Sequence, residues 1–193
     1  MRNMVVIRWL VLLKLSDLML DTFAGFIALY FVDIVSVSMA KASLAVLIAT
    51  GAGIAGNIIV IYILKRLSGL AYVFWSAVSE IFLFSAFLLI PGFYFKVAFL
   101  IIIVMANAGW YPVLKAQLYK AMPGKSGTVM TLGSLTNIIA GMIPLALGIV
   151  ADRWGLKVTL WILLLAPVSL IAGIPKQKNI DITSTNSETE TTG

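Results

Sequence analysis

The sequence predicts an all-α polytopic membrane protein with six transmembrane helices, and three observations carry that prediction. Of 193 residues, 61% are hydrophobic and 11% charged, whereas soluble domains sit near ~45–50% apolar and about 25% charged. The apolar residues fall into six long runs rather than segments of alternating character. Only helices or a closed barrel satisfy backbone polar groups in lipid, and continuous runs select helices. At roughly 20 residues per crossing, the chain holds that many helices with short connections. A composition this apolar excludes both a water-soluble enzyme and a disordered chain.

Charged and turn-forming breaks mark each element in order. The first run covers residues 9–35, and a polar break from Ser36 to Ser43 leads into the second, 44–64. Lys65, Arg66 and Gly69 end that helix with basic residues and a glycine stop. The third run, 70–90, closes at Pro91-Gly92, and the fourth, 97–118, closes at Met122-Pro123-Gly124. A fifth and less apolar run, 128–150, carries Gly133, Gly141, Pro144 and Gly148. Asp152-Arg153-Trp154-Gly155 makes the next turn before the sixth, 156–174. Residues 1–175 thus form one six-helix domain, followed by a polar tail, 176–193, expected to be disordered.

Lysines and arginines in the short loops set the orientation. With an even number of crossings, Arg2, Arg8, Lys65, Arg66, Lys120, Lys125, Lys176 and Lys178 share one side, against Lys41, Lys96, Arg153 and Lys157 on the other. Eight against four places both termini in the cytoplasm, in what is expected to be the plasma (inner) membrane. The same distribution accounts for the net charge of +6 by topology, so no nucleic-acid partner is expected.

Polar groups inside the runs are the candidate functional residues, because a charge near the bilayer centre costs at least about 2.5–3.5 kcal/mol. Lys14, Asp17 and Asp21 fall at i, i+3 and i+7, on one helix face, with Asp21 about 18 Å beyond Trp9. Such a carboxylate pair suits a proton carrier; the plainer reading is a Lys14–Asp17 pair that fixes helix register. Glu80, near mid-membrane in the third run, either relays protons or sits neutral in a hydrogen bond to a neighbouring helix. In the fourth run Asn107, Trp110 and Tyr111, beside Pro112, supply partners for a polar molecule. Lys115 either joins them or snorkels to the headgroups. Asn137 belongs to a small, slightly polar face of the fifth run. In the second run, Gly51, Ala55 and Gly56 stand at spacings that let membrane helices approach closely. The sequence contains no cysteine or histidine, no carboxylate cluster with metal spacing and no glycine-rich loop after a strand. No metal, cofactor or catalytic residue is expected, and an intramembrane enzyme is disfavoured.

The segment Gly148-Ile149-Val150-Ala151-Asp152-Arg153-Trp154-Gly155-Leu156-Lys157, with Pro144 before it, matches the pattern G-x-x-A-D-R-x-G-x-[RK] between two hydrophobic helices. It resembles a loop pattern of the major facilitator superfamily of transporters. Leu15 to Asp21 then looks like the first helix of that family's C-terminal six-helix half. Gly109-Trp110-Tyr111-Pro112 through Ser126-Gly127-Thr128 fits its fourth and fifth helices. The resemblance implies a secondary transporter of a small solute, coupled to protons through Asp17, Asp21 or Glu80. In that reading Gly148, Asp152, Arg153, Gly155 and Lys157 belong to the conformational machinery. Two departures stand beside it. The loop from Gly56 to Gly69 carries Lys65-Arg66 but lacks the acidic residue of the family's best-known copy of the motif. The family also uses two six-helix halves with substrate between them. This chain is therefore expected to be one half, a truncated form or a homodimerising unit, with the bilayer, a solute, protons and a second half as partners. The alternative is a non-transporting membrane subunit or an inactive remnant.

Overall fold

Serine caps and prolines decide where the helices of this protein begin and where they break. The structure, a computed structural model, describes residues 2–124 and 126–174, and every regular element among them is helical. α1 (Arg2–Asp17) passes into a π turn over Leu18–Thr22, α2 (Phe23–Leu29) follows, and a second π turn spans Tyr30–Ile34. α3 (Met39–Leu64) starts after Ser38, whose hydroxyl accepts the Lys41 N–H at 3.5 Å. α4 (Gly69–Leu89) starts after Ser68, which accepts from Ala71 at 3.3 Å. Each serine satisfies an N–H that the first helical turn leaves unpaired.

Three later stretches are each split. α5 (Phe93–Asn107) meets α6 (Trp110–Ala121) at Ala108-Gly109; α7 (Ser126–Ala140) meets α8 (Met142–Trp154) at Gly141; α9 (Leu156–Leu163) meets α10 (Leu165–Gly173) at Leu164. Gly109, Gly141 and Leu164 each precede a proline (Pro112, Pro144, Pro167) by three residues. Proline lacks an N–H and its ring crowds the carbonyl four residues back, so the carbonyls of Ala108, Ala140 and Leu163 lose their helical partners.

The stretches Met39–Leu64, Gly69–Leu89, Phe93–Ala121 and Leu156–Gly173 are long and apolar enough to cross a membrane. The protein is therefore a helical, membrane-embedded chain. Residues 2–34, with Arg8, Lys14, Asp17, Asp21 and Asp33, and residues 126–154, rich in Thr, Ser and Gly, stand apart from those four by their polarity. The helices begin at Arg2, Met39, Phe93 and Ser126, earlier than the apolar edges at residues 9, 44, 97 and 128. For α3 the Ser38 cap sets the earlier start, whereas α5 begins after Gly92 without a side-chain cap. The expected tail, 176–193, lies outside the described residues.

α1 lies against α6 and α10, α4 against α5 and α10, and α3 against α5 and α2. Arg8 Nε donates to the Gly173 carbonyl at 2.6 Å, so the start of α1 sits beside the end of α10. Near the other end of the bundle, Phe23, Tyr30, Phe31, Phe84 and Phe87 interlock, with Phe23 edge-on to Phe84 at 5.0 Å.

The small residues of α3 divide by environment. A Cβ at Gly56 comes within 2.9 Å of the Met105 Cα, whereas Gly51 has open space around it. Backbone cannot swing aside as a side chain can. Gly56→Ala is therefore expected to destabilise the α3–α5 contact by about 1–3 kcal/mol, and Gly51→Ala to be close to neutral. Unfolding of the two variants in mixed micelles measures the difference; equal midpoints contradict the close approach.

Candidate functional site

α1 and the first π turn bring the charged residues of the chain's opening to a shared opening in the bundle. Lys14, Asp17 and Asp21 line a cleft of about 500 Å³ together with Gly53 and Asn57 of α3, Asn107 of α5, Tyr111 and Pro112 of α6, and Asn137 of α7. A second recess of about 270 Å³ shares Lys14, Asp17, Asp21 and Asn137 and continues to Thr22, Gly141 and Pro144. Asp21 therefore lines both. In the π turn, hydrogen bonds run i→i+5, which shifts the helical phase of everything beyond it. Leu18, Met19 and Thr22 are buried there, and Asp21 is left exposed. π turns of this kind cluster at functional sites.

The charges are not equivalent. Lys14 Nζ donates to Asp17 Oδ2 at 2.8 Å, with both side chains under one-fifth exposed (16% and 18%). Lys14 also donates to the Asn137 side-chain carbonyl, tying α1 to α7. Among the described residues, Asp21 has neither an ion pair nor a hydrogen-bond partner. With Lys14 and Asp17 neutralising each other, Asp21 is the unbalanced charge of the cleft.

Other sequence candidates lie elsewhere. Trp110 is wholly buried and its indole N–H donates to Ser76 Oγ at 2.7 Å, so it faces α4 rather than the cleft. Lys115 reaches the cleft only through Tyr111, donating to that hydroxyl at 3.2 Å and lying over its ring. Glu80 has no exposed surface and sits behind Asn107, whose amide N–H₂ donates to Glu80 Oε1 at 3.4 Å. Asp152, Arg153 and Lys157 are exposed at the turn between α8 and α9, which Gly155 makes with φ +87°. Neither they nor Gly148 line the cleft.

Lys96 is a correction. Its charge reads in the sequence as a loop cation, but it is buried at 5% exposure. Its ammonium donates to the Tyr30 hydroxyl at 2.6 Å and the Phe87 carbonyl at 2.5 Å, and it lies 5.0 Å and 5.2 Å from those two ring centroids. The aromatic faces supply the negative potential that a carboxylate otherwise gives. No local pattern around Lys96 announces this, because Tyr30 arrives from the second π turn and Phe87 from α4. Asn57 also lines the cleft and was not among the sequence candidates; its amide donates to the Gly53 carbonyl at 3.0 Å, one turn back in α3, and nothing local in the sequence says which helix it faces.

No protein-family model matches the chain, and no curated protein or solved structure compared with it matches either.

Proposed function

We propose that this chain is a secondary active transporter of a small polar solute, coupled to protons, as its likeness to one six-helix half of the major facilitator superfamily implies. The observation that carries the reading is Asp21: an unpaired carboxylate facing a polar cleft inside a membrane-embedded helical bundle. An intramembrane charge of that kind marks an ion or substrate path by default. A volume of about 500 Å³ is also the size of a small-molecule site. Asn57, Asn107, Tyr111 and Asn137 offer the hydrogen-bonding groups that orient a polar solute, and the freed Ala108 carbonyl adds an acceptor at the same wall. The cleft binds and moves solute rather than transforming it. A second reading, a non-transporting membrane subunit, has one observation in its favour: Lys14 is held by Asp17 and Asn137, as in a purely structural tie.

Proteoliposomes with a trapped pH dye and an imposed proton gradient separate the two. A panel of small polar solutes is expected to include members that dissipate the gradient only when the protein is present. Dissipation by none of them favours the structural subunit.

In this reading six helices cross the plasma (inner) membrane with both termini in the cytoplasm. The Arg8–Gly173 contact supports termini on one side, and removing buried Lys96 from the loop count leaves eight basic residues against three. In intact cells, an impermeant thiol reagent is expected to label Arg153→Cys and not Arg66→Cys; the reverse pattern inverts the orientation.

A further inference from the structure

Behind the cleft wall lies a pair of buried polar groups that the hydrogen bonds present leave half satisfied. Glu80 has no exposed surface and Asn107 is 2% exposed. The Asn107 amide donates to Glu80 Oε1, yet Glu80 Oε2 and Asn107 Oδ1 have no hydrogen-bond partner. Two unpaired acceptors side by side in an apolar interior are costly, and a buried unneutralised carboxylate is more so.

Among the described residues no cation offsets it. The ion pair among the described residues is Lys14–Asp17, on the far side of Asn107. On α4 itself the nearest titratable group is Tyr72, whose hydroxyl donates to the Ala106 carbonyl at 2.7 Å. α5 contributes Asn107, and its lysine, Lys96, is held by Tyr30 and Phe87. α6 contributes Trp110, already bonded to Ser76, and its lysine, Lys115, is turned to Tyr111. α10 has no charged residue to offer.

One proton resolves both deficits. On Glu80 Oε2 it donates to Asn107 Oδ1 while the amide N–H₂ continues to donate to Oε1. A carboxylic acid and a primary amide then close a ring of two hydrogen bonds, and every polar atom of the pair is used. We propose that Glu80 is a proton-binding site of this chain, holding its proton as a carboxylic acid closed onto Asn107, and that Asn107 is the positioning residue that separates this proton from the cleft. Asn107 lines the cleft that Asp17 and Asp21 also line, so its amide is the partition between the buried acid and those carboxylates. When the amide turns aside, the Glu80 O–H meets cleft water, and the proton can exchange there. This deepens the proton-coupled reading, but its test reads a protonation state and not transport, so the two fail separately.

The chain has three glutamates, and the other two are Glu188 and Glu190. The variant carrying Glu188→Gln and Glu190→Gln, labelled with carboxyl-¹³C glutamate, isolates Glu80 in an infrared spectrum without touching it. In lipid films of the full chain near neutral pH, the expected result is an isotope-shifted carboxylic-acid C=O band that Glu80→Gln removes. Asn107→Ala is expected to move that band to higher frequency, as a carbonyl losing a hydrogen bond does. It is also expected to speed the band's hydrogen–deuterium exchange about tenfold, the population equivalent of one lost hydrogen bond. A labelled carboxylate band in place of the acid band overturns the proton site. An acid band whose frequency and exchange ignore Asn107→Ala overturns the partition. Where Glu80→Gln fails to fold, the singly labelled chain alone decides the protonation state.

Discussion

Asp21→Asn is expected to abolish proton-driven uptake in proteoliposomes while leaving solute exchange and the fold intact. Asparagine keeps the size and the hydrogen-bonding oxygen of the carboxylate but cannot ionise. Asp21 is exposed to both recesses of the cleft and, among the described residues, supports no other side chain. Its removal therefore takes away a charge without taking away a contact. Asp17→Asn makes the informative contrast. That carboxylate holds Lys14 at 2.8 Å, and Lys14 in turn reaches Asn137. Losing it leaves a largely buried ammonium without its counter-charge, a situation that costs more than the pair itself contributes. Asp17→Asn should thus loosen α1 from α7 and lower thermal stability as well as activity. The check is uptake, exchange and melting measured on both variants. Concentrative uptake retained by Asp21→Asn takes this residue off the proton path.

What the sequence made legible follows from the range of the interactions involved. Periodicity and polarity are local, so Lys14, Asp17 and Asp21 could be placed on one face, and Asn107, Tyr111 and Asn137 could be named without knowing what they face. All six line the cleft. The π turn at Leu18–Thr22 was not legible, because no residue type marks an i→i+5 bond; in the fold Leu18, Met19 and Thr22 of that turn are buried. Pro112 and Pro144 were visible as breakers, but that each would divide its stretch into two helices depends on how the freed carbonyl finds space in the bundle. Trp110 and Tyr111 are adjacent in sequence and point to different neighbours, one buried on Ser76 and one open to the cleft. Adjacent helical residues are turned away from one another, so a motif that contains both cannot assign them one role. Lys96 failed for the opposite reason. A single basic residue beside an apolar run reads as a loop charge wherever its partners are aromatic and distant in sequence.

If the chain works as the proposed half-transporter, transport is expected to require a second helical unit over the cleft, and crosslinking through this face is the measurement that shows it. Asp21, Asn57, Tyr111 and Asn137 are all exposed on one side of the bundle. Against lipid these groups cost several kcal/mol together, with an ionised aspartate alone at about 2.5–3.5 kcal/mol on insertion scales. Leu47, Ile54, Ile61, Phe82 and Leu165 are exposed too, but as apolar residues they are what lipid solvates. The polar side must instead meet water and a protein surface, which is the arrangement two facing halves provide. A second copy of this chain and a companion chain both answer the requirement, and a copy does so through the same patch on each partner. Gly25→Cys and Tyr111→Cys, each in this cysteine-free chain, supply single thiols for the test: Tyr111 lines the cleft, and Gly25 is exposed, with open space around it, four residues beyond Asp21. In native membranes either thiol is expected to trap a covalent dimer or a heteromer, whereas Phe82→Cys, on an apolar exposed face, is expected to trap none. A cleft that covers itself with lipid gives no crosslink from any of the three. Solute transport by vesicles containing one chain each would show that a single bundle suffices, because the exposed carboxylate would then have to be solvated within it.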